Sequence, residues 1–194
     1  MKKTIWLSYA SLFLLSASVL SVSSCNEDAE QEQVEEVNEE KFDDTHMEYD
    51  SEFAVKAATG GMMEVELGKV ATAKAQTQEV KDFAQAMITE HSKANEELQT
   101  AAAAKNIALP ATMTDEQQND LNRLSEKEGY NFDEEYIDFM VKDHKKDIEL
   151  FKDQANKGGD ADLKAWAQGK VSVLEHHLMM AEQLQEQLKN NKKK

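Results

Sequence analysis

One cysteine, one proline and seven glycines among 194 residues leave little material for a turn-rich or disulfide-stapled fold. A single thiol excludes an intrachain disulfide. Basic residues are also scarce: 22 lysines and arginines face 38 acids, a formal net charge of −16. The first 24 residues hold Lys2 and Lys3 and no acid, so the rest of the chain carries 20 basic against 38 acidic side chains. That balance excludes nucleic acid as a partner, since phosphate recognition needs a basic footprint. It equally excludes adhesion to anionic lipid headgroups, whereas an acidic field concentrates small cations. No phosphate loop, dinucleotide fingerprint or serine, histidine and acid set occurs in a usable context.

What the chain does have is Ala, Glu, Lys, Gln, Leu and Met in long stretches, residues that lose little rotamer freedom in a helix. The composition reads as all-α, and 40% hydrophobic residues suffice for one bundle core. The amino terminus is set apart. Met1-Lys2-Lys3 is a positive start, and Ile5 to Val22 is apolar but too short and serine-rich for a spanning helix. Val22-Ser23-Ser24-Cys25 follows and resembles the lipobox of bacterial lipoproteins, with the only cysteine at the lipidated position. Residues 1–24 therefore read as a lipoprotein signal peptide and Cys25 as the lipid attachment point. Acylation removes the thiol from any chemistry, and several acyl chains exceed what stable anchoring needs. Asn26, in place of the Asp that resembles an inner-membrane retention signal, points to the outer membrane. From Asn26 to Asp50 there are twelve acids and one lysine, so residues 25–50 read as a disordered acidic tether.

Residues 51–189 read as a four-helix domain and residues 190–194 as a basic tail. The first helix is expected from about Ser51 to Ala75, with Phe53, Ala57, Gly60, Glu64, Leu67 and Ala71 on one stripe. The second runs from about Gln78 to Ala104, with Val80, Phe83, Met87, His91, Ala94 and Leu98 inward. Pro110 marks the break after it. Thr114 to Gln117 matches a capping box for a short helix, and Asn131 to Glu134 repeats the signature before the third long helix. That helix turns Ile137, Met140, Val141, His144, Ile148 and Phe151 inward and stops at Gly158-Gly159. Asp160 opens the fourth, which carries Leu163, Trp166, Leu174, His177, Ala181 and Leu188 at helical spacing. Two very short connections make two antiparallel hairpins, and the long middle connection can run the length of a bundle. A ferritin-like bundle with one helix-containing crossover is the expectation; an up-down-up-down bundle with a decorated loop is the alternative. A weak repeat, Phe83-x-x-x-Met87-x-x-x-His91 against Tyr136-x-x-x-Met140-x-x-x-His144, supports two related hairpins.

A family resemblance rests on three stretches. They are Phe53-x-x-x-Ala57-Ala58-x-Gly60-Gly61-x-x-Glu64-Val65-Glu66-Leu67-Gly68-Lys69, Val80-Lys81-x-Phe83-Ala84-x-x-Met87-Ile88-x-Glu90-His91-Ser92-Lys93-Ala94-Asn95 and Met140-Val141-x-Asp143-His144. Together they resemble the bacterial domain of unknown function 4142 family, over roughly residues 50 to 188. The resemblance implies a ferritin-like fold and an exported location, and it implies no activity.

Counted from the first hairpin turn, Glu64 and His91 fall within about two residues of the same depth, or ~3 Å at 1.5 Å per residue. His144 falls near mid-bundle too, and His177 about one turn away. Inward Glu64, His91, His144 and His177 make a candidate transition-metal site for copper or zinc, with Met87 and Met140 as accessory soft ligands. The competing reading makes each histidine an ordinary core residue. Glu64 is the sharper clue, because a carboxylate seldom enters a helical core without a partner. A ferritin-type di-iron oxidase is disfavoured, since Ile88, Val141 and Leu174 stand where Glu-x-x-His needs acids. Glu90, Asp143 and Glu175 read as supporting or surface groups. The functional expectation is a non-enzymatic envelope lipoprotein serving binding or stress tolerance, meeting the membrane through its lipid alone and small cations or envelope proteins through its bundle. A periplasmic metal-binding protein is the second reading, and a redox enzyme the third.

Overall fold

The computed structural model describes residues 27–43 and 45–192. The expected signal, the expected lipid attachment at Cys25 and the end of the basic tail lie outside the described residues. Within them every regular element is helical. The order is α1 (Glu27–Phe42), α2 (His46–Lys74), α3 (Gln78–Lys105), α4 (Asp115–Ser125), α5 (Gly129–Lys157) and α6 (Ala161–Asn191). No helix among these residues is long and apolar enough to cross a membrane.

The acidic stretch expected as a disordered tether is instead helical from Glu27 and packs along α2. Three polar anchors and one apolar one compensate for its sparse hydrophobicity. Asn38 donates to the Ala108 carbonyl and accepts from its N–H, and Lys41 donates to the Asn106 carbonyl. Glu30 accepts from Ala111 N–H and the Thr112 hydroxyl, and Phe42 is buried. Glu32, Glu36, Glu39 and Glu40 face water while these few contacts hold α1 to the loop after α3. The second difference is at α5. It begins at Gly129 rather than at Asn131, after an N-cap Glu128 whose side chain makes no capping hydrogen bond, and Asp133 within it caps another turn. The Thr114 and Gln117 capping box and the Asp160 cap form as expected.

Two buried aspartates set the directions of the helices. Asp133 accepts from the N–H groups of Gln76 and Thr77, both at 2.9 Å, and from the Thr77 hydroxyl at 2.8 Å. The start of α5 therefore lies at the α2–α3 turn. Asp50, near the start of α2, accepts from Gly159 and Asp160 N–H in the α5–α6 turn. Lys105, ending α3, meets Asp160 at 2.6 Å and Asp162 at 2.9 Å at that same end. So α2 and α6 run one way and α3 and α5 the other, and residues 106–128 return along the bundle. Asn106, at φ 56°, turns the chain out of α3. Gly68 lets α3 approach: a Cβ there would stand 3.1 Å from the Ala84 carbonyl oxygen and 2.8 Å from Ile88 Cγ1.

The apolar core is in two parts. One gathers Leu67, Val80, Met87, Phe132, Met140 and Ala181, the other Phe53, Leu98, Ile148, Phe151, Leu163 and Leu174. On each of α3, α5 and α6 a histidine stands at the junction between the two. Replacing Asp133 by Ala would take the acceptor from two part-buried N–H groups at a turn, and the expected cost is about 1–3 kcal/mol. Urea unfolding checks it: the midpoint should fall with the slope unchanged.

Candidate metal centre

The junction layer collects Glu64 from α2, His91 from α3, His144 from α5 and His177 from α6, all buried. The stripe that carries each side chain inward is continuous with apolar residues above and below, so the fold delivers the polar group to the axis along with them. The three imidazoles form a near-regular triangle, with ring centroids 5.6 Å (His91 to His144), 5.3 Å (His91 to His177) and 5.4 Å (His144 to His177) apart. One ring nitrogen from each lies within 4.8 Å of the others.

Their remaining nitrogens are already engaged. His144 Nδ1 lies 3.1 Å from the Met140 carbonyl, and His177 Nε2 lies 3.1 Å from Glu90 Oε2. His91 Nδ1 lies 2.6 Å from Glu64 Oε2, while its Nε2 is buried with no partner. A carbonyl can only accept, so His144 donates through Nδ1 and presents a lone pair at Nε2. That lone pair faces His177 Nδ1 at 3.4 Å. If His177 gives its N–H to Glu90, two lone pairs confront each other in a buried layer. Rings oriented by a carboxylate or carbonyl on one nitrogen, with the other aimed at a common point, are the arrangement that metal-binding histidines use.

Burial decides the charge of the layer. It lowers the pKa of His91 and of His177 to about 4 and that of His144 to about 3, the neighbouring imidazoles adding to the effect on the last two. It pushes Glu64 well above the ordinary carboxylate range, helped by Asp143. The short Glu64–His91 contact is therefore a hydrogen bond between groups that burial drives towards neutrality, rather than a strong ion pair.

Beside the histidines stands a second group that sequence reasoning did not assemble. Glu64, Asp143 and Asp147 each bring a carboxylate oxygen within 4.8 Å of the others. Burial raises Asp143 to about 6 and lifts Asp147 well above the carboxylate range, with Glu64 and Asp143 adding to the latter. Asp143 was read as a supporting or surface group, and Asp147 was not singled out. Both neighbour lysines on the exposed side of α5, so their pattern looked like a solvated face. Glu90 does act as a support, holding His177, whereas Glu175 is exposed and pairs with Lys152 at 2.7 Å. Met87 and Met140 belong to the apolar cluster around Phe132 and Tyr136, and it is the Met140 carbonyl that reaches a histidine.

A cavity of about 270 Å³ reaches the layer, with Glu64, His91, His177 and Asp147 at its base and Phe151 and Trp166 on its walls. Gly60 also lines it, one turn before Glu64. A Cβ at Gly60 would meet nothing within 4 Å, so close packing does not account for this glycine. A mid-helix glycine costs roughly 0.5–1 kcal/mol relative to alanine. Its effect here is to leave space in front of the carboxylates.

The depressed histidines have a definite consequence for acid stability. The unfolded chain protonates each near pH 6.5, whereas the folded chain resists until about pH 3 to 4. Their contribution is intact above pH 6.5 and is lost as the pH falls towards 4. The raised carboxylates act with the opposite sign: their contribution fades as the pH rises through the ordinary carboxylate range towards about 6 for Asp143. In metal-free protein, His144→Gln should therefore shrink the fall in melting temperature between pH 6.5 and 4. Asp143→Asn should melt no lower than the parent at pH 7. Parallel melting curves for His144→Gln and the parent would contradict the assignment.

A family model described as Domain of unknown function (DUF4142) matches residues 31–184. No curated protein and no solved structure matches the chain. The match takes in both hairpins, the crossover between them and the four-residue junction layer, and the chain belongs to the DUF4142 family.

Proposed function

We propose that this protein is a non-enzymatic, metal-binding module of the bacterial cell envelope, built as a ferritin-like four-helix bundle. In this reading it is anchored through lipid on Cys25 to the outer membrane. His91, His144 and His177 hold a divalent transition-metal ion, zinc or copper, and Glu64 orients His91 by its other ring nitrogen. Three imidazoles with an open fourth position suit a four-coordinate borderline ion. The ferritin-like reading is supported by α3 and α5 running the same way, with a crossover returning along the bundle.

The observation that carries the metal reading is the facing pair of ring nitrogens on His144 and His177, 3.4 Å apart in a fully buried layer. Neutral imidazole has one N–H, and both rings have an acceptor on the other side. An added proton would relieve the conflict, but burial opposes imidazolium. A cation accepting both lone pairs relieves it without that penalty. The lipid anchor is supported by the lipobox-like run ending at Cys25.

Titrating the metal-free full chain in detergent with Zn(II) and Cu(II), following metal content and melting temperature, tests the proposal. Binding to the folded state alone should stabilise it by about 2.7 kcal/mol at a hundredfold excess over Kd. Glu90→Ala removes the acceptor that orients His177 and should weaken binding about 10–100-fold. His91→Ala and His144→Ala should weaken it further. Affinity weaker than about micromolar, or affinity unchanged in both alanine variants, would sink the metal reading. Labelled palmitate attaching to the parent and not to Cys25→Ser is the expected result for the anchor.

A further inference from the structure

We propose that the junction layer is built for two cations rather than one: a nitrogen-rich position on His91, His144 and His177, and an adjoining oxygen-rich position on Glu64, Asp143 and Asp147, with Glu64 linking the two by its contact with the outer nitrogen of His91. The inference rests on the histidines being metal ligands and adds a second site of different chemistry.

Four observations support the second position. The three carboxylates each place an oxygen within 4.8 Å of the other two, a spacing at which one ion can touch all three. Two buried oxygens in the group, Glu64 Oε1 and Asp143 Oδ2, have no hydrogen-bond partner. A buried acceptor without a partner is costly, and the group holds two, with only the His144 Nδ1 at 3.5 Å near Glu64 Oε1. Among the described residues no lysine or arginine lies within ion-pair distance of any of the three. Lys146 is the basic side chain that acts on both aspartates, and it does so only as a more distant charge. The two aspartates thus have no basic side chain in direct contact, and Glu64 meets only the imidazoles of His91 and His144.

The fourth observation is one of register. Asp50 and Asp133 cap the turns of opposite hairpins from the starts of α2 and α5. Glu64 stands fourteen residues after Asp50, and Asp147 fourteen after Asp133. Fourteen residues are about four turns, or about 21 Å, so each acid lies on the same face as its capping aspartate. Since α2 and α5 run in opposite directions, the two acids meet in mid-bundle from opposite ends. The carboxylate pair is thus generated by the same near-symmetry that closes the two turns. It is not an accident of one surface.

The two positions also differ in approach. The 270 Å³ cavity reaches Glu64, His91, His177 and Asp147, while a groove on another side of α2 reaches Asp143 and Asp147 past Met63. Gly60 lines both. An all-carboxylate position suits a hard divalent ion such as Mn(II), Mg(II) or Ca(II), whereas the imidazoles retain zinc.

Sequential loading of the metal-free full chain in detergent tests this. One equivalent of Zn(II) followed by Mn(II) should leave about one ion of each per chain by elemental analysis. Bound manganese should lose its sharp aqueous six-line EPR signal. Asp147→Asn and, separately, Asp143→Asn should abolish manganese retention and keep about one zinc. Both changes remove like charge, so the metal-free variants should remain folded, with far-UV circular dichroism matching the parent. Zinc bound without manganese in the parent would overturn the second position and leave the histidine site standing. Failure to bind either ion would sink both readings. Manganese retained by both aspartate variants would overturn the ligand assignment.

Discussion

Ionisable side chains do not enter a helical core cheaply, and this bundle places six of them in or beside one layer between two apolar clusters. Each histidine and Glu64 takes a position that an aliphatic residue would otherwise fill. Much of the surrounding structure can be understood as holding that layer. Met140 lends a carbonyl, Glu90 reaches in from the rim, and Gly60 leaves space where a side chain would stand. Burial drives the bases and acids of the layer towards neutrality from opposite directions. The result is a set of donors driven towards neutrality and aimed at each other, an arrangement that a cation stabilises.

Bringing four helices to one depth requires that their ends be fixed. Asp50 and Asp133 do this with charge-assisted hydrogen bonds to backbone N–H groups of the opposite hairpin's turn, which are stronger than neutral ones. Because each aspartate belongs to one hairpin and caps the other, the two hairpins cannot slide past each other without losing both. The register of Glu64 against Asp147 follows from those end constraints. The helix at the amino end, α1, is fastened differently, through Asn38, Lys41 and Glu30 to the segment after α3. Charge on its outer face is compatible with that, since only one face touches the domain.

Helical periodicity made Glu64, His91, His144 and His177 legible in the sequence, because each interrupts an apolar stripe at a position where only a buried group fits the spacing. Asp143 and Asp147 were not legible in that way. They lie a step off the stripe of α5 among Lys142, Lys145 and Lys146, and nothing local distinguishes them from a solvated face. The matching fourteen-residue spacings from Asp50 and Asp133 were present in the sequence, but they acquire meaning only once those aspartates are seen to cap opposite turns. The repeat relating Phe83–His91 to Tyr136–His144 compares α3 with α5, whereas the end contacts relate α2 to α5.

Sequence by itself determined that the domain is all-helical, where its long helices run and which side chains turn inward. Those properties follow from local propensity, periodicity and composition. Tertiary structure alone decided that α1 is helical and docked, that α3 and α5 run in parallel, and that three carboxylates gather beside three imidazoles. Each of these depends on contacts between residues far apart in the chain. The proposed lipid attachment at Cys25 rests on its local motif alone, since it lies outside the described residues.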